Sequence, residues 1–137
     1  VEGFVAARAA ANRSAADIDT LTELLQDARK CIDTGPSQRD AFLDIDKRIH
    51  MTLAEVAANP IYMSVLHSVH DNIHRYYDEF LSMDRRELQE NYRDLCDLVQ
   101  AVEKGQVDRA RRLARNHVRR FNSYMRKREQ RKKTIEI

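Results

Sequence analysis

Tryptophan is absent from this chain, and glycine and proline fill only three and two of its 137 positions. So few turn-forming residues leave little room for the frequent tight turns of an all-β sandwich or barrel. The two cysteines, Cys31 and Cys96, form no CxxC pair, which excludes a disulfide framework and a cysteine-based zinc motif. No run of 18 apolar residues occurs, so no membrane-spanning helix is expected. A glycine-rich phosphate loop, a nucleophile elbow, an HExxH motif and the paired ExxH of a di-iron bundle are all missing. With no secretory signal, the thiols read as reduced and the protein as cytoplasmic. The chain begins at Val1 already in a helical pattern, as expected of a fragment with a segment upstream.

What is plentiful is Ala, Leu, Arg, Glu and Asp, a composition that favours helices. The length suits one domain with a real core. Net charge is only +2, yet twelve of the 24 Lys and Arg lie between residues 109 and 133. Such a segment suits phosphate contacts, or simply the solvated face of a long last helix. The second reading is favoured.

Periodicity and punctuation predict six helices. "NRS" closes the first, and Ser14 with Asp17 has the spacing of a capping box that opens the second. "DTGPSQ" breaks the second from a third helix, which runs to Asn59 ahead of Pro60. The fourth is expected to bury Tyr62, Val65, Leu66, Val69, Ile73, Tyr76 and Phe80. A fifth stops at Gly105, and a sixth runs from about Val107 to about residue 130. No strand alternation or internal repeat is visible. The fold expected is all-α, an antiparallel bundle of six to seven helices.

The third helix carries the chemistry. In "AFLDIDKRIHMTLAEVAANP" (residues 41–60), Phe42, Leu43, Ile49, Leu53, Val56 and Ala57 form one stripe, with Asp46 at its centre and His50 a turn later. His117 is at the centre of the stripe of the sixth helix, among Ala110, Leu113, Ala114, Phe121 and Tyr124. A buried carboxylate costs several kcal/mol unless it is compensated. Either Asp46 accepts hydrogen bonds from His50 or His117 in a satisfied polar patch, or one metal ion draws all three together. His67 and His74 fall on the polar side of the fourth helix, and His70 at the edge of its buried stripe, placed to touch a ligand.

"VEGFVAARAAANRSAADIDTLTELL", "DIDKRIHMTLAEVAANP" and "LVQAVEKGQVDRARRLARNHVRRF" together resemble the effector-binding domain of GntR-type bacterial transcription regulators. The subgroup is the one named for the C-terminal domain of the fatty-acid regulator FadR (FCD). The resemblance covers nearly all of residues 1–137. It implies a helical bundle following a winged helix-turn-helix DNA-binding domain, which this chain does not include. It also implies a cavity for a small organic acid, a homodimer, and in many members a metal held by one Asp and three His. Asp46, His50 and His117 match three of those positions. At the fourth, Leu95 stands where a His is usual, leaving Asn91, one turn earlier, as a possible oxygen donor, and His70 with His74 replace frequent arginines. The expectation is a sensing and dimerising domain with Asp46, His50 and His117 as ligands to one zinc or nickel ion. Asn91 and His70 are expected to contact the effector. The rival readings are a metal-dependent helical-bundle enzyme, for which no general base can be named, and a nucleic-acid binder using the last helix.

Overall fold

The computed structural model describes residues 2–80 and 83–136, with side chains described throughout those ranges except 73–80 and 127–136. Six helices and one short 3-10 turn make up the described chain: α1 (Glu2–Asn12), α2 (Ala15–Thr34), the turn Pro36–Gln38, α3 (Arg39–Ala57), α4 (Pro60–Phe80), α5 (Arg85–Glu103) and α6 (Val107–Glu136). The all-α bundle expected from periodicity is what forms.

Local chemistry sets the helix ends. The Ser14–Asp17 capping box is present with both reciprocal bonds, and Asp84 with Glu87 repeats it at the start of α5. Each such cap stabilises its helix by about 1 kcal/mol. α3 ends at Ala57, two residues before the expected Asn59. Ala58 takes the left-handed conformation (φ 59°) and its N–H bonds back to Ala54 and Glu55. The Asn59 side chain then accepts from the backbone N–H groups of Ile61 and Tyr62, turning the chain into α4 behind Pro60. At the α5–α6 turn Gly105 (φ 67°) allows the Gln106 N–H to reach back to the Ala101 carbonyl.

α1 lies inside the bundle, packed on α3, α5 and α6. Its small buried residues Ala6, Ala9 and Ala10 let those neighbours approach. Around it Leu21, Phe42, Ile49, Leu53, Leu88, Leu95, Leu98 and Val102 form one continuous apolar core. The buried Cys31 and half-buried Cys96 are both free thiols.

The fourth helix departs from expectation. Leu66 is buried and Tyr62 half-buried, but Val65 and Val69 are 40% and 43% exposed, while His70 is buried. α4 packs chiefly along α3, and among its described side chains Leu66 and His70 are the buried ones. The covered face is turned around the helix from the apolar stripe, toward the side that carries His70. Ile73, Tyr76 and Phe80 lie outside the described side chains, as does His74. His67 is exposed as expected, with Nε2 3.3 Å from Asp71.

Candidate functional site

Five helices deliver ionisable side chains to one interior cluster. On α3 the four-residue spacing stacks Asp46 and His50, and His50 Nε2 lies 3.3 Å from Asp46 Oδ1. From α6, His117 Nε2 approaches the same oxygen at 3.4 Å. The His50 and His117 rings are stacked, with centroids 5.5 Å apart. One nitrogen from each ring and one Asp46 oxygen fall within 4.8 Å of one another, a grouping able to hold a cation.

The orientation of the rings is informative. Both Nε2 atoms sit at ion-pair distance from Asp46 Oδ1, yet neither is aligned as a hydrogen bond to it. Among the described residues, Asp46 Oδ1 is the buried side-chain polar atom left without a hydrogen-bond partner. The opposite edges do make hydrogen bonds. His50 Nδ1 lies 3.0 Å from Glu2 Oε2 at the start of α1, and His117 Nδ1 lies 3.3 Å from Asp94 Oδ2 on α5. Glu2 also reaches His70 on α4, Oε1 to Nε2 at 3.2 Å, and the His70 and His50 rings stack with centroids 5.0 Å apart. Asp94 is in turn held by Arg120 Nε at 2.9 Å.

The electrostatics follow from these contacts. Burial would push the Asp46 carboxyl up, but the adjacent His50 and His117 outweigh it and hold it well below the usual carboxylate range. Glu2 behaves in the same way, its burial outweighed by His50 and His70. Burial would lower His50, but Glu2 and Asp46 more than offset that and keep it well above the ordinary histidine value. His117 is raised too, with Asp46 and Asp94 overcoming its burial. Glu2, Asp46 and Asp94 supply three carboxylates against the one guanidinium of Arg120. Neutrality then calls for two more positive charges, which two imidazolium protons or one divalent cation would supply equally.

The donor set of imidazole nitrogens and a carboxylate oxygen suits zinc or nickel, and the unpartnered Asp46 oxygen is the atom such an ion would satisfy. Leu95 is fully buried in the core and offers no donor. Asn91 is buried, and its amide nitrogen donates to the Glu87 carbonyl at 2.8 Å. His70 enters the cluster through Glu2 rather than through Asp46. The sequence reading missed Glu2 and Asp94 altogether. The one available signal was a lone acidic residue in the first turn of α1.

Beside the cluster, an open groove of about 470 Å³ runs between α1, α4 and α6, with Glu2 in its lining. Phe4, Val65, Val69 and Val118 form its apolar wall, and Arg115 and Arg119 bring positive charge.

Comparison with known proteins agrees with this architecture. The family model described as "FCD domain" matches residues 1–120. Among solved structures, E. coli McbR/YncC superposes with a TM-score of 0.78 at 16% sequence identity, covering 92% of this chain. At that identity the likeness establishes the fold, and this chain spans 62% of the length of that structure. No curated protein matches the sequence. With the family model covering most of its length, the chain belongs to the FCD family, the effector-binding domains of GntR-type transcription regulators.

Proposed function

We propose that this domain senses a small organic acid for a cytoplasmic GntR-type regulator, and that Asp46, His50 and His117 hold one zinc or nickel ion at the sensing site. The observation that supports this most strongly is the buried Oδ1 of Asp46, facing two Nε2 atoms without a hydrogen bond to either. A bound divalent ion supplies positive charge and open positions that attract an effector carboxylate. The protein's own part is to keep three donors converged, with His70 joined to the cluster through Glu2 and the buried Asn91 of α5 proposed as a further contact for the acid. Because the cluster draws on α1, α3, α4, α5 and α6, an acid bound there favours one arrangement of those helices over another. It shifts the regulator only to the extent that its affinity for the two arrangements differs. The DNA contact is assigned to the winged helix-turn-helix domain that GntR-type regulators carry ahead of this one. The regulator is expected to act as a homodimer. The uncovered apolar side chains Ile61, Val65 and Val69 on α4, with Phe4 beside them, support a second copy there.

A thermal-shift screen of organic and sugar acids, run with zinc, with nickel and with chelator, tests the proposal. The expected result is an acid that raises Tm only in the metal-loaded wild type, with the effect lost in His50→Ala and His117→Ala. Turnover of the acid by purified protein, or steeply salt-dependent DNA binding by this domain without the winged domain, would overturn it.

A further inference from the structure

Resting on the metal-site reading above, we infer that Glu2 and Asp94 are positioning residues, each fixing one imidazole with Nδ1–H toward itself and the Nε2 lone pair toward Asp46. Neither residue is part of the Asp46–His50–His117 grouping, though Glu2 forms a second such grouping with His50 and His70, and neither was expected from the sequence pattern.

The geometry is the same on both rings although the residues come from different helices. Each ring aligns Nδ1 with a carboxylate, at 3.0 Å for His50–Glu2 and 3.3 Å for His117–Asp94. Each leaves Nε2 facing the same unpartnered oxygen. A carboxylate accepts only, so in a neutral ring it selects the tautomer that carries its hydrogen on Nδ1. That choice leaves the Nε2 lone pair free for a metal, and the negative charge behind the ring raises its basicity as a ligand. Turned the other way, either ring would place an N–H against the ion.

Both carboxylates are themselves anchored. Glu2 Oε1 is held by His70 Nε2 at 3.2 Å, which ties α1 to α4. Asp94 is fixed by Arg120, whose guanidinium also contacts Glu90 at 3.5 Å, and Glu90 accepts a hydrogen bond from Tyr124. The Asp46–His50–His117 grouping offers three protein donors. Their pre-orientation replaces part of what a further ligand would contribute.

The test is zinc affinity by chelator competition, together with ring-nitrogen NMR of the histidines. Glu2→Ala and Asp94→Ala are each expected to weaken zinc binding about 10- to 100-fold. Glu2→Gln and Asp94→Asn, whose amide oxygens still accept from Nδ1, should lose less. In zinc-loaded wild type, His50 and His117 should both show protonated Nδ1 and metal-bound Nε2. In each Ala variant the neutral, metal-free ring should shift toward the Nε2–H tautomer, a change that a merely structural role would not produce. Arg120→Ala, on a side chain 42% exposed, perturbs Asp94 without opening the core and should give an intermediate loss. Wild-type binding that the Ala variants and Arg120→Ala leave unchanged, or unchanged tautomers, overturns this inference alone. A second zinc per chain, lost with Glu2 or His70, would make Glu2 a ligand and also overturn it. No zinc binding by wild type overturns the metal reading and this inference with it.

Discussion

Raising the pH should weaken the metal-free protein and strengthen the metal-loaded one. His50 and His117 are held above the free-histidine value of 6.5 by the carboxylates around them. A group whose folded pKa is raised contributes stability that is complete below its unfolded pKa and lost as pH climbs through the folded one. Above pH 6.5 each ring therefore removes stability at up to about 1.4 kcal/mol per pH unit. The loss continues until the folded value is passed, and it is drawn from a total stability of about 5–15 kcal/mol for a typical domain. On the acid side, Asp46 and Glu2 have folded pKa values below their ordinary 3.8 and 4.5. Their contribution is present above those values and is lost as pH falls below them. The metal-free protein should thus be most stable between about pH 4.5 and 6.5.

Zinc reverses the slope, because coordination needs both Nε2 lone pairs free and the ion displaces the ring protons. At a free zinc concentration about 100 times Kd the gain is about 2.7 kcal/mol, and Kd itself tightens with rising pH. The assay is urea unfolding from pH 5 to 8.5, with chelator and with zinc, on wild type and on a His50→Gln/His117→Gln double variant that removes the background pH dependence. Metal-free wild type gaining stability from pH 6.5 to 8 relative to the double variant would refute the reasoning. So would a zinc increment that shrinks with pH.

Other consequences are simpler to state. Ser14→Ala removes the hydroxyl that accepts from the Asp17 N–H and should cost about 1 kcal/mol in urea unfolding, with zinc affinity unchanged. Leu95→His, at the position where the family resemblance expects an imidazole, should tighten zinc binding about tenfold in chelator competition, while lowering the Tm of the metal-free form because a polar ring replaces a fully buried Leu. Val65→Asp with Val69→Asp, on the uncovered face of α4, should leave the helical circular-dichroism signal intact and shift sedimentation toward monomer.

The helices were legible because their signals are local. The Ser14–Asp17 box, the Gly35–Pro36 break and the 3.6-residue stripe of α3 each lie within a few residues of what they determine. Asp46 and His50 could be paired because one helical turn separates them, and His117 stood out as a polar residue centred in an apolar stripe. Glu2 could not be read this way, since its partners lie 48 and 68 positions along the chain and only tertiary packing brings them together. Asp94 was hidden by its neighbour, because the resemblance drew attention to Leu95 while the adjacent carboxylate turned toward α6. On α4, apolar character misled. Valine at 65 and 69 suits a buried stripe, but the covered face is turned around the helix from it, and the interior position went to His70.

Metal content tests the central claim most directly. Protein purified without chelator, analysed for zinc and nickel and then titrated with zinc, should hold one ion per chain in wild type. Asp46→Ala, His50→Ala and His117→Ala should each bind none at comparable concentrations, with helicity retained. A wild type with no saturable site, or three variants that bind as wild type does, would contradict the account.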